Sequence, residues 1–164
     1  MQPPQLELLQ NMPIFGAIRE DALQFLLEQA REVVVQAGEF FFRENDQATS
    51  MFVLESGRAV VIKGWQGHDT ELHRLSAGDC FGEMALMDLF ARSASVFAVE
   101  DCRAIEFTAA DLMRLFERDA EQFALIQMNI GREVCRRLRA TDELLFRVRM
   151  GEPQEPLPVA LRSG

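Results

Sequence analysis

The spacing of apolar positions changes character twice along the chain. Leu6, Leu8 and Leu9 predict a short helical lead-in that ends before Pro13, and Ile14-Phe15 follows as an apolar plug. From Glu20 to Arg31, the residues Leu23, Leu26, Leu27 and Ala30 recur at helical spacing, which predicts a helix with one buried face. Between Glu32 and Phe107 the runs become short and β-rich: Val33 to Val35, Glu39 to Arg43, Ser50 to Glu55, Arg58 to Lys63, Thr70 to Leu75, Val96 to Val99 and Arg103 to Phe107. Ala37-Gly38, Glu44-Asn45-Asp46 and Ser56-Gly57 are the turn signals between the first of them. From Ala109 the helical period returns, with Leu112, Leu115 and Phe116 on one amphipathic helix and Phe123, Ile126 and Ile130 opening the next.

Many short strands at this spacing predict an antiparallel sandwich or jelly roll. The fold class expected is therefore α+β: an antiparallel β jelly-roll barrel with an N-terminal helical segment and C-terminal helices. Residues 1–149 form the expected domain, and 150–164, with Pro153, Pro156 and Pro158, an expected flexible tail that cannot be helical. The 164 residues suffice for one core. A net charge of −9 argues against general affinity for nucleic acid or anionic membrane. Cys80, Cys102 and Cys135 are odd in number and widely spaced, which is neither a disulfide framework nor a zinc pattern. A reducing cytoplasm is the simplest location, since the start MQPPQLELLQ is no secretory signal and no apolar run reaches membrane-spanning length.

The chemistry concentrates in Phe81 to Val96, FGEMALMDLFARSASV. Gly82 lets the backbone approach a ligand closely, and Met84 to Leu89 can form a short helix whose free amides favour an anion. Arg92 offers a planar fork to phosphate oxygens and Ser93 a hydroxyl donor. Glu83 would repel phosphate, and its natural partner is a sugar hydroxyl. Together these residues describe a socket for a small sugar phosphate. The plainer alternative, a surface ion pair between Glu83 and Arg92 on a hairpin, accounts for either residue but not for the whole string.

FGE-M-A-L followed by R-S-A-S resembles the phosphate-binding cassette of the cyclic nucleotide-binding domain family. The resemblance implies that Glu83 accepts from the ribose 2'-hydroxyl and Arg92 pairs with the cyclic phosphate. It implies ligand contacts from Phe81, Gly82, Glu83, Met84, Ala85, Arg92, Ser93 and Ala94. It covers roughly residues 6 to 148 and extends to the leader with Leu9, Pro13, Ile14 and Phe15, which in the family packs beside the barrel. Asn45 stands where members usually carry Gly, a small departure because Asn tolerates a left-handed conformation. Near the C-terminus, Thr141 within RRLRATDE matches the family's base-contacting position. A polar seam residue fixing register is the competing account of Thr141, and Arg132 or Arg137 are alternative base contacts. The ligand implied is cAMP ahead of cGMP, with no resident cofactor.

Val134, Leu138, Thr141, Leu145 and Val148 alternate by four and three residues, a heptad seam with one polar member. It serves either packing onto the chain's own barrel or, as the resemblance favours, a homodimer through this helix. Only about twenty residues follow Thr141, so the helix-turn-helix of the family's transcription factors and sequence-specific DNA binding are not expected. The two histidines, His68 and His73, fall on one hairpin without a third ligand, so a surface hairpin is expected there and no metal site. The function expected is a non-enzymatic, cytoplasmic cyclic nucleotide sensor that moves its last helix toward a separate protein partner and does not engage membrane. Two other classes stay open: a ligand-independent scaffold on a degenerate domain, and a jelly-roll metalloenzyme.

Overall fold

The computed structural model describes residues 3–151. The tail expected at 150–164 lies almost entirely outside the described residues. Helix α1 (Pro3–Gln10), a single 3-10 turn (Pro13–Phe15) and α2 (Glu20–Gln29) form the N-terminal leader. The expected helix to Arg31 ends earlier because Ala30 is extended (φ −70°, ψ 162°) and Arg31 opens β1, paired with Glu106. Cross-strand pairing overrides the helical period at that point.

Eight strands follow: β1 (Arg31–Val35), β2 (Phe40–Phe42), β3 (Ser50–Ser56), β4 (Ala59–Trp65), β5 (His68–Leu75), β6 (Cys80–Phe81), β7 (Ser95–Ala98) and β8 (Cys102–Thr108). Helix α3 (Met84–Asp88) interrupts them between β6 and β7. The strands make two four-stranded antiparallel sheets, in the orders β1-β8-β3-β6 and β2-β7-β4-β5. This is the jelly-roll arrangement expected, built as two facing sheets rather than a closed barrel among the described residues.

The two sheets are buried differently, and β3 shows why. Successive side chains on a strand point to opposite faces. Phe52 and Leu54 enter the core between the sheets with Ala59, Val61, Val96 and Ala98. Met51 and Val53 face the other way, into a second core with Leu9, Ile14, Phe15, Leu23, Leu26, Leu115, Ile126 and Ile130. Strand β3 is thus covered on both faces, which explains its unbroken apolar run Met51 to Leu54. The outer strand of the second sheet, β5, is exposed along most of its length.

Helix α4 (Ala109–Arg118) begins with a reciprocal cap. The Asp111 amide donates to Thr108 Oγ1 at 3.1 Å and the Thr108 amide to Asp111 Oδ2 at 2.8 Å. Helix α5 (Ala120–Arg149) then runs for 30 residues, capped by the Asp119 carboxylate on the Gln122 amide. No helix among the described residues is long and apolar enough to cross a membrane.

Candidate functional site

The cassette is shaped by its turns. The Asp79 carboxylate accepts from the Ser76 amide at 2.8 Å, which closes the turn through Gly78 and delivers the chain into β6. Gly82 then adopts φ 79°, and a Cβ placed on it would lie 2.6 Å from Arg92 Nη1. Only glycine permits both the left-handed turn and the seating of the arginine against it. Helix α3 ends with Leu89 in the left-handed region (φ 59°), its amide donating to Ala85 O at 3.1 Å. Leu89 and Phe90 project outward at 79% and 73% exposure. Downstream, the Asn45 amide donates to Arg92 O and the Arg92 amide to Asp46 O, both at 2.9 Å. Asn45 has φ 71°, the left-handed conformation that asparagine tolerates.

These turns surround a cavity of about 230 Å³ between the second sheet, the cassette and α5. Phe81, Gly82, Glu83, Met84, Ala85, Arg92, Ser93 and Ala94 all line it, so the structure brings together eight of the nine residues singled out from sequence. Thr141 is not on its wall. It lies one turn beyond Arg137 on α5, exposed, with its hydroxyl donating to Arg137 O at 2.9 Å. The position on α5 that does reach the cavity is Arg137.

Arg92 is only 6% exposed. Its Nη1 donates to Gly82 O at 3.1 Å and its Nη2 to Ser50 O at 2.8 Å, while Cζ sits 4.0 Å over the Phe42 ring. Its Nε is buried with no hydrogen-bond partner among the described residues. No carboxylate among those residues pairs with it, so a full positive charge rests on neutral carbonyls and an aromatic face. Burial pulls its pKa down from the usual guanidinium value, and the more distant charges of Glu106 and Asp46 oppose that pull. A buried cation held this way has unspent capacity for an anion.

Glu83, 1% exposed, faces the opposite balance. Its carboxylate forms an ion pair with the Arg137 guanidinium of α5. Burial pulls the pKa of Arg137 down from the usual guanidinium value. The cavity therefore presents one cation without a counter-ion and one carboxylate tied to the last helix. That pairing of unlike environments is what a ligand with an anionic end and a hydroxyl donor requires.

Sequence reasoning missed several wall residues. Phe42, Val61, Leu72, His73, Cys80, Asp88, Ala91 and Val96 also face the cavity. His68 is exposed at the hairpin as expected, but His73 is not on a purely surface hairpin: it is half-buried on the cavity wall. The cause is a bulge in β5. Val61 pairs with His73 and Ile62 with Glu71, which leaves Leu72 as an extra residue and turns two neighbours toward one side. No sequence signal marks that bulge. Arg137 was named among alternatives only through the resemblance, and its apolar-seam context gave no sign of it.

The family model described as the cyclic nucleotide-binding domain matches residues 32–119. A cyclic AMP receptor protein from Thermus thermophilus is 27% identical over 82% of this chain and 61% of its own length. The cAMP-dependent protein kinase regulatory subunit of Schizosaccharomyces pombe is 31% identical over 66% of this chain and 26% of its own. The crystal structure of Thermus thermophilus catabolite activator protein superposes with a TM-score of 0.75 at 27% identity, covering 84% of this chain and 63% of that one. The chain thus spans 61% or less of the length of these two curated relatives.

Proposed function

Because the chain belongs to the cyclic nucleotide-binding domain family, we propose that it is a non-enzymatic sensor of a cyclic purine nucleotide, cAMP in preference to cGMP. The observation that carries this reading is Arg92: a buried guanidinium on a cavity wall, its Nε without a partner among the described residues and its other contacts made to carbonyls, the Ser50 hydroxyl and the Phe42 ring rather than to a carboxylate. A cyclic phosphate supplies the anionic oxygens that those carbonyls imitate poorly. Its ribose hydroxyl donates to Glu83, a buried carboxylate on the same cavity wall. The preference for cAMP follows the relatives named for cAMP, whose matches extend over 82% and 66% of this chain.

Signal output in this reading runs through α5. A ribose hydroxyl that reaches Glu83 meets the carboxylate already bound to Arg137, so ligand and helix share one acceptor. Occupancy shifts the position of α5 only as far as the ligand binds the two arrangements unequally. Beyond Arg137 the exposed Leu138, Leu145 and Val148 form a surface suited to a second copy of the helix or to a separate protein partner.

Calorimetric titration with cAMP and cGMP tests the proposal. Arg92→Ala should weaken binding by about 2–5 kcal/mol, as when one partner of a buried charge pair is removed. Unaltered affinity in that variant would remove the phosphate clamp. One observation favours a second reading, a domain that fills its own pocket and serves as a ligand-independent scaffold: Glu83 is already paired with Arg137, and Arg92 is already folded onto Gly82 and Ser50. Failure of both nucleotides to raise the melting temperature at saturation would select it.

A further inference from the structure

The segment from Arg92 to Ala94 borders the cavity, and the carbonyls of Arg92 and Ser93 are held by groups that are not on its wall. Strand β7 pairs with β4 as far as Ile62 opposite Ser95, and the ladder stops there. Just past that point the side chain of Lys63 takes over. Its Nζ donates to Ser93 O at 2.6 Å and to Glu44 Oε1 at 3.1 Å. Glu44 is fixed in turn: Oε2 accepts from the Gly64 amide at 3.2 Å, and the Glu44 amide donates to Ser95 Oγ at 2.8 Å. The next carbonyl upstream, Arg92 O, is occupied by the Asn45 amide at 2.9 Å.

A trans peptide points its N–H opposite to its C=O. With Ser93 O turned outward to a half-exposed lysine that is not on the cavity wall, the Ala94 N–H turns the other way. Ser93 and Ala94 are both wall residues, so that way leads inward. Resting on the nucleotide reading above, we propose that Lys63 is a positioning residue for the cyclic phosphate: by clamping the Ser93 carbonyl from outside, it aims the Ala94 N–H at one of the two exocyclic phosphate oxygens. Lys63 itself touches no ligand. Its ammonium also adds a positive charge to the neighbourhood, and the test must separate the two effects.

A general charge effect acts on both exocyclic oxygens alike, whereas an aimed amide acts on one. The two diastereomers of adenosine cyclic phosphorothioate replace one or the other of those oxygens with sulfur, a poorer acceptor. The full chain, Lys63→Met, Lys63→Arg and Glu44→Gln are titrated with cAMP and with each diastereomer, and each variant's melt is recorded. In Lys63→Met the ratio of affinities for the two diastereomers should shift by about threefold to tenfold, the value of one oriented hydrogen bond. Lys63→Arg should restore the original ratio, and Glu44→Gln should move it in the same direction by less. An equal loss for both diastereomers, or an unchanged ratio, would overturn the proposal while leaving the nucleotide reading intact. No binding of any of the three ligands by the unaltered chain would overturn both.

Discussion

The two halves of α5 belong to one unbroken helix and have opposite surroundings. In the first half Gln122, Ile126, Asn129, Ile130 and Glu133 are buried. Asn129 Nδ2 donates to Gly16 O at 2.8 Å, and Gln122 Oε1 accepts from the Arg19 amide at 2.7 Å, so the leader is fastened to this half by polar bonds as well as by packing. In the second half Leu138, Leu145 and Phe146 are at least 50% exposed, and the Arg137–Glu83 pair links this half back to the cassette. An apolar anchor is hard to exchange and gives stability. A polar contact at the cavity is easily exchanged for a ligand group, and a stiff helix carries that exchange outward. The contrast separates the part of α5 that holds the fold from the part that reports on the cavity.

The comparison can be broken first in the anchored half. Ile130→Ala deletes a side chain with no exposed surface and should lower unfolding free energy by about 2–5 kcal/mol in urea denaturation. Breaking the tether comes next. Arg137→Ala leaves the Glu83 carboxylate buried without its cation, and, since Arg137 keeps 22% of its side chain in solvent, the loss should fall near 2 kcal/mol. A smaller change is expected in the free half. Leu145→Ala should alter the stability of dilute protein by about 0.5 kcal/mol or less. If sedimentation shows that the seam pairs two copies, the same change should weaken that association measurably. Finally, thiol labelling sharpens the contrast with almost no energetic effect. Burial pushes the Cys80 thiol up to about 12, so near pH 8 it stays protonated and inert, whereas the exposed Cys135 on α5 reacts. Rapid labelling of Cys80 in the folded protein would mean that the cassette opens more readily than its packing suggests.

Much of the site was legible because its chemistry is local. Gly82, Glu83, Arg92 and Ser93 lie within a dozen residues, and the turn, carboxylate and cation are named by residue type. The strand series was legible for a similar reason, since Gly38, Asn45 and Gly57 mark the reversals and all three take positive φ. Thr141 shows the limit of that approach. Its seam spacing was readable, but whether position 137 or 141 meets the cavity depends on how α5 is placed along its axis against the sheets, which is set by Ile126 and Ile130 joining the apolar cluster of Met51 and Phe107, both far earlier in the chain. His73 shows a second limit. An alternating exposed strand reads as a surface hairpin, and one unpaired residue at Leu72 changes which neighbours face inward.

By itself the sequence determined the element types, the turn positions and the identity of the cassette, because periodicity, turn chemistry and a short motif act over a few residues. Tertiary structure alone decided that Arg92 would be buried without a carboxylate, that Glu83 would be held by Arg137, and that Lys63 would grip Ser93. Those contacts join groups 30 to 54 positions apart or depend on what packing excludes, and no local pattern encodes the distance between strands that meet only when the sheets close.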